Sequence, residues 1–176
     1  DNGVAVQVDL TATTATLYLD GDYENSSTQD GTNTVQFAAS KRVTAETVLT
    51  LESTTGSLIP AGKLTLTAGF GVVILDDMTA AASNQALVID SDFESAGDGT
   101  LTVQTGKTVT SSKSDVTITA GDLDLDGLFT AGTKSLVVHG AQASQSLGLG
   151  SAAVDLGLQD SELGSLTCEA GLTGVF

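Results

Sequence analysis

Hydrophobic and polar residues alternate along this chain in short bursts. Val4, Val6, Val8 and Leu10 are separated by single residues, and Leu17 and Leu19 repeat the spacing. Similar runs recur at 48–51, 64–66, 72–75, 87–89, 101–103, 116–118, 123–125, 136–138, 147–149 and 156–158. Period two puts alternate side chains on one face, so each run predicts a strand of about three to five residues. Gly, Ser, Asp and Asn separate the runs, as turns require. Helical spacing is confined to Asn84–Leu87 and Ser161–Leu166, each enough for a single turn.

The runs repeat. Displacing the sequence by 52 positions lays Leu49-Thr-Leu on Leu101-Thr-Val, and Leu64-Thr-Leu-Thr-Ala-Gly on Val116-Thr-Ile-Thr-Ala-Gly. An offset three positions shorter lays Leu87-Val-Ile on Leu136-Val-Val. A long period built from short strands predicts a parallel β-solenoid, in which each strand lies over its counterpart one coil away. With about 20 to 25 residues per coil, the chain makes roughly seven or eight coils and a rod of about 35 to 40 Å. An antiparallel β-sandwich is the alternative layout, although it gives no reason for a fixed offset to match strands.

Composition narrows the partners. Thr (26) and Gly (20) are abundant and charged residues make only 16%, which favours strands and turns over helices. The net charge of −16 comes from 22 acids against six bases scattered along the chain. That excludes a phosphate-binding groove for nucleic acid and disfavours anionic membrane surfaces. No apolar run approaches a membrane-spanning helix, so no membrane insertion is expected. Beginning at Asp1 without an initiator Met, the chain reads as a mature product or a piece of a longer one. Lone Cys168 forms no internal disulfide and reads as a small core residue.

Some stretches resemble a known family. They are Asp30-Gly-Thr-Asn-Thr-Val-Gln-Phe-Ala-Ala-Ser, Gly71-Val-Val-Ile-Leu-Asp-Asp-Met, Ser146-Leu-Gly-Leu-Gly and Asp155-Leu-Gly-Leu-Gln-Asp-Ser-Glu-Leu-Gly-Ser-Leu-Thr. Over roughly residues 30 to 173 the chain resembles filamentous-haemagglutinin-like repetitive surface proteins of the algal, protist and marine bacterial type. The resemblance implies a right-handed parallel β-helix, secretion, and a structural or adhesive role rather than an enzymatic one. Residues 1–28 lie outside it and are expected to form a separate strand segment, with the solenoid over 29–176.

Three acidic stretches are candidates for calcium, which takes six to eight oxygens. Asp122, Asp124 and Asp126 precede Gly127, but the twelfth loop position is Thr133 rather than a bidentate Glu, so an EF-hand fails. A strand with Leu123 and Leu125 inside explains them more simply. Asp90, Asp92, Glu94 and Asp98 are more loop-like, as is Asp20-Gly-Asp22-Tyr-Glu24-Asn25, although a solvated acidic turn explains either. Calcium is the only cofactor suggested, and none is required. Asn25-Ser-Ser is an N-glycosylation sequon, to be used if the chain is secreted by a eukaryote. For catalysis, Asp76 and Asp77 are adjacent and would point to opposite faces of a strand. Arg42 and His139 lie far apart, and no nucleophile elbow occurs.

What remains is the ends. A solenoid terminates in coils whose backbone groups lack partners. Val4, Val6, Val8 and Leu10 read as one long flat strand, Val175 and Phe176 leave an apolar terminus, and no capping helix is evident. The expectation is a structural subunit of an extracellular or cell-surface filament, a homo-oligomer joined head-to-tail through these residues. The alternative is a passive segment of a large adhesin that binds a glycan or receptor.

Overall fold

The computed structural model describes residues 3–25, 31–150 and 154–175. The chain is a right-handed parallel β-solenoid with three faces. The first coil holds β1 (Val4–Val6), β2 (Leu10–Ala12) and β3 (Leu17–Asp20), and the second β4 (Val35–Phe37), β5 (Lys41–Ala45) and β6 (Val48–Glu52). The third holds β7 (Leu58–Pro60), β8 (Leu64–Ala68) and β9 (Gly71–Ile74). The fourth holds β10 (Met78–Thr79), β11 (Leu87–Asp90) and β12 (Thr100–Val103). The fifth holds β13 (Thr108–Thr110), β14 (Val116–Ala120) and β15 (Asp122–Leu125). Then come β16 (Leu128–Gly132) and β17 (Leu136–Gly140), followed by β18 (Leu147–Leu149), β19 (Leu156–Leu158), the helix α1 (Asp160–Ser165), β20 (Leu166–Cys168) and β21 (Leu172–Val175).

Two faces are seven-stranded sheets, β1-β4-β7-β10-β13-β16-β20 and β2-β5-β8-β11-β14-β17-β21. The third face is β3-β6-β9-β12-β15. Beyond β15 the chain changes pattern: β19 packs against β15 and pairs in parallel with β18. β18 is therefore the outermost strand on that face, although it precedes β19 in sequence. α1 packs against β15 and β20.

The registers explain the repeat. Leu49, Val72 and Leu101 stand in one column, so the offset that lays Leu49 on Leu101 spans two coils rather than one. Leu64, Leu87 and Val116 show the same two steps. The shorter offset also spans two coils, from Leu87 through Val116 to Leu136, because the coil from Val116 to Leu136 is a short one. Coil length is uneven: the step from Phe129 to Leu166 is nearly twice that from Val109 to Phe129, and the differences are taken up between strands.

Inward columns make the core. Val35, Leu58, Met78, Val109 and Phe129 stack on one face without exposure, and Val43, Leu66, Ile89, Ile118 and Val138 do so on the next. Leu51, Ile74, Val103 and Leu125 line the third. The pairing is parallel throughout, which removes the sandwich. Seven levels at about 4.8 Å span about 29 Å between the first and last strands, less than the expected rod.

Three expectations need correction. Of the segment 1–28, the described residues 3–25 are not separate from the solenoid, because β1, β2 and β3 pair in parallel with β4, β5 and β6 as the first coil. The run from Val4 to Leu10 is not one strand, because the chain turns a corner at 7–9 to pass from one face to the next. Asn84–Leu87 is not helical: Leu87 begins β11 and is buried in the core. The helical turn expected at 161–166 is present as α1, one residue earlier.

Polar side chains fasten the corner where the third face leads into the first. Asp76, only 4% exposed, accepts the Ser53 backbone N–H at 2.7 Å and is ion-paired with Lys107 of the next coil. Asp22, fully buried, accepts the Thr55 N–H at 3.0 Å and the Thr55 hydroxyl at 2.5 Å. Gly56 is required beside them, since a Cβ there would fall 1.5 Å from the Asn33 carbonyl oxygen. Truncating Lys107 to Ala leaves a buried carboxylate oxygen without its cation. It should cost about 1 to 3 kcal/mol in urea unfolding. Unchanged stability would show that Ser53 alone holds Asp76.

Candidate functional site

The solenoid has two ends, and its main features of functional interest lie there. At the N-terminal end β1, β2 and β3 are each the last strand of a sheet, and among the described residues each presents one unpaired backbone edge. Val6 is turned into the core at 6% exposure, whereas Val8, on the corner, is 68% exposed. Val4 and Leu10 are half-buried and pack against the core margin. The four residues expected to act together on one strand therefore divide: Val8 faces solvent, Val4 and Leu10 line the margin, and Val6 is structural.

At the C-terminal end β20, β21 and β18 are the outermost strands. The column that runs through Ile118 and Val138 meets Gly174, which supplies no side chain. The result is an apolar cavity of about 220 Å³ lined by Val138, Leu147, Leu149, Leu158, Leu172 and Gly174. Leu149 is 59% exposed and Leu172 39%. Val175 lies in β21, opposite His139, and Phe176 falls outside the described residues. Sequence reasoning missed this cleft, since it forms between β17, β18, β19 and β21.

The acidic stretches do not converge on a cation. Among the described residues no group of three His, Cys, Asp or Glu side chains is placed to hold a metal. Asp92 is buried and its oxygens are taken by the backbone N–H groups of Ala96 (3.0 Å), Gly97 (2.6 Å) and Gly99 (3.3 Å). Asp90 accepts the Asp92 N–H, while Glu94 and Asp98 are exposed. The Asp92 carboxylate thus organises its own loop. Asp122, Asp124 and Asp126 point outward from alternate positions beside buried Leu123 and Leu125, and Asp126 accepts the Thr105 hydroxyl at 3.1 Å. Asn25 is exposed, with a left-handed φ of 51° and the Thr54 hydroxyl on its side-chain oxygen. The rest of its sequon, Ser26 and Ser27, lies outside the described residues.

Asp76 and Asp77 diverge, as expected of neighbours: Asp77 accepts the Thr108 N–H at 2.7 Å on the outside. Lys107, the cation beside Asp76, is not evident from the sequence, because a whole coil of chain separates the two while one step of the stack joins them. Cys168 is half-buried against the core.

Two carboxylates near the C-terminal end respond oppositely to pH. Burial raises Glu162 above the usual range, opposed by the Gln159 N–H bond at 2.8 Å and reinforced by the charges of Asp122 and Asp124. Asp155 is lowered by the backbone N–H and hydroxyl of Ser146, which tie the start of β19 to the start of β18. A raised folded pKa means that the native state holds more protons than the unfolded one. The Glu162 charge therefore costs stability above its pKa and is relieved as pH falls through it. Asp155 contributes stability above the ordinary carboxylate range and loses it as pH falls. Glu162→Gln, which keeps an acceptor for Gln159, should raise Tm at pH 7 and change little where Glu162 is already protonated. A lower Tm at pH 7 would contradict this account.

No family model, curated protein or solved structure matches this chain, so the likeness to filamentous-haemagglutinin-like proteins stands on its own motifs alone.

Proposed function

We propose that this protein is a structural subunit of an extracellular filament or cell-surface appendage, joined head-to-tail through its coil ends. The observation that carries the proposal is that, among the described residues, the solenoid is open at both ends in the same sense. Its faces begin with the free edges of β1, β2 and β3 and finish with those of β20, β21 and β18. Because the sheets are parallel, a second copy moved along the axis meets each terminal edge with an edge of matching direction. The apolar cleft lined by Leu149 and Leu172 then receives the next copy's first coil, where Val8 projects. Such a contact joins unlike surfaces, does not close on itself, and propagates.

Charge sets the conditions. Copies carrying −16 repel over about 30 Å at about 10 mM salt but only about 8 Å at physiological ionic strength. In electron micrographs at micromolar concentration, filaments should appear at physiological salt and dissolve at low salt. Their axial repeat should be about 34 Å, seven levels of about 4.8 Å. Leu149→Lys should abolish them while leaving stability within about 1 kcal/mol of the parent, since the side chain is mostly exposed. Val6→Asp should instead destabilise the fold itself, because Val6 belongs to the core. Rods that stay single at every salt concentration would remove the filament reading. They would leave the adhesin reading, in which the same ends adjoin further coils of a longer polypeptide.

A further inference from the structure

The six bases are not scattered in space. Three of them, Lys41, Arg42 and Lys63, line one pocket of about 260 Å³ with Asp9, Ser40 and Thr65. The pocket lies at the corner where the first face leads into the second, across the first three coils. Asp9 precedes β2, Ser40 precedes and Lys41 opens β5, and Lys63 precedes β8. Among the described residues, none of the three cations forms an ion pair, although the chain carries 22 acids. Lys107, by contrast, is paired with Asp76.

Lys41 breaks the pattern of its column. It stands in register with Leu64, which is followed by Leu87, Val116 and Leu136, all buried. It also shares the inward phase of Val43 and Ala45 on its own strand, and is itself half-buried. A lysine in this column contributes less to the core than the leucine that would continue it there. Next to it Arg42 stands over Thr65, whose hydroxyl-bearing side chain is only 9% exposed and forms part of the pocket wall. The acid in the pocket, Asp9, is held by the Arg42 backbone N–H at 2.9 Å, which leaves the guanidinium without a bonded partner. Asp90, further along the second face, feels the Arg42 charge only at a distance and makes no ion pair with it.

We propose that Lys41, Arg42 and Lys63, with the Ser40 and Thr65 hydroxyls, form a binding pocket for a single oxyanion group, a sulfate or a carboxylate, carried by an otherwise neutral small molecule such as a sugar acid. Planar guanidinium and mobile ammonium donors suit such oxygens. The pocket is smaller than a drug-sized site, so it takes one group and its immediate attachment. Outside these three cations the chain carries 22 acids against three bases, and that field repels polyanions. The pocket lies on the flank of the coils, and the inference stands whether or not the subunits form filaments.

The test is calorimetric titration of the intact protein at low ionic strength with sodium sulfate, sodium glucuronate and glucose. Sulfate or glucuronate should bind saturably with one-to-one stoichiometry, glucose should not, and Arg42→Gln and Lys63→Gln should each weaken binding about tenfold or more. Asp9→Asn should tighten it. Lys41→Leu separates function from fold: it should abolish anion binding and raise Tm, because it completes the hydrophobic column. If sulfate binds but glucuronate does not, the group is a sulfate; the reverse result assigns a carboxylate. Failure of both to bind, or binding that survives Lys41→Leu and Arg42→Gln in folded protein, would overturn the proposal.

Discussion

In this protein the hydrogen bonds between coils run along the axis, and they lock each residue over its counterpart about 4.8 Å away. This constraint governs nearly everything else. Hydrophobic residues therefore stack in columns, as Val35, Leu58, Met78, Val109 and Phe129 do. Volume is exchanged within a column rather than conserved at each level: Phe37 lies beside Pro60, and Gly174 ends a line of Val and Ile. Where the exchange is incomplete a cavity remains, and the cleft at the C-terminal end is such a place.

The same locking makes charge expensive, because like groups in adjacent coils are held close. The chain resolves this in three ways at its corners. Asp92 gives its oxygens to three backbone N–H groups of its own loop. Asp76 is bridged to Lys107. Asp22 is bonded through one oxygen to Thr55, while its Oδ1 has no hydrogen-bond partner. Elsewhere acids stand beside Thr, as Asp90 does between Thr67 and Thr119, although Asp20 lies directly over Glu52. An excess of 16 negative charges is thus compatible with stacking because few carboxylates lie directly over one another.

Much of this architecture is legible in the sequence. The strands at 64–66, 101–103 and 147–149 announce themselves by alternation. The long offset marks two coils because insertions lie between strands and leave the strand pattern intact. What stays hidden is what depends on coil length. The steps from Lys41 to Leu64 and from Leu64 to Leu87 are equal, but the step from Leu87 to Val116 is longer and that from Val116 to Leu136 shorter, so no one spacing holds along the chain. The run from Val4 to Leu10 deceives because alternation continues across a corner: Val6 belongs to one face and Leu10 to the next. Lys41 and Arg42 look like ordinary surface bases, and only the register shows Lys41 in a leucine column and Lys63 beside it. Polar corners read as solvated turns, although Asp22, Asn33, Ser53 and Asp76 are buried.

The two ends also bear on symmetry. An isologous dimer would place identical edges against each other about a two-fold axis, and two copies of β1 would then pair antiparallel. That reverses the strand direction at the junction and sets Val8 against Val8, leaving the cleft around Leu149 and Leu172 uncovered on both copies. Translation along the axis instead keeps the direction of every strand. It also brings the projecting residue of one end to the concave surface of the other. The overshoot of the chain at β18 matters here. By running out to the last level before returning through β19, it lets the third face end beside β20 and β21 rather than two levels short. A level end would offer three edges to a second copy, whereas a stepped end would leave the third face unsupported. The chain order that looks irregular in sequence is therefore what squares off the rod.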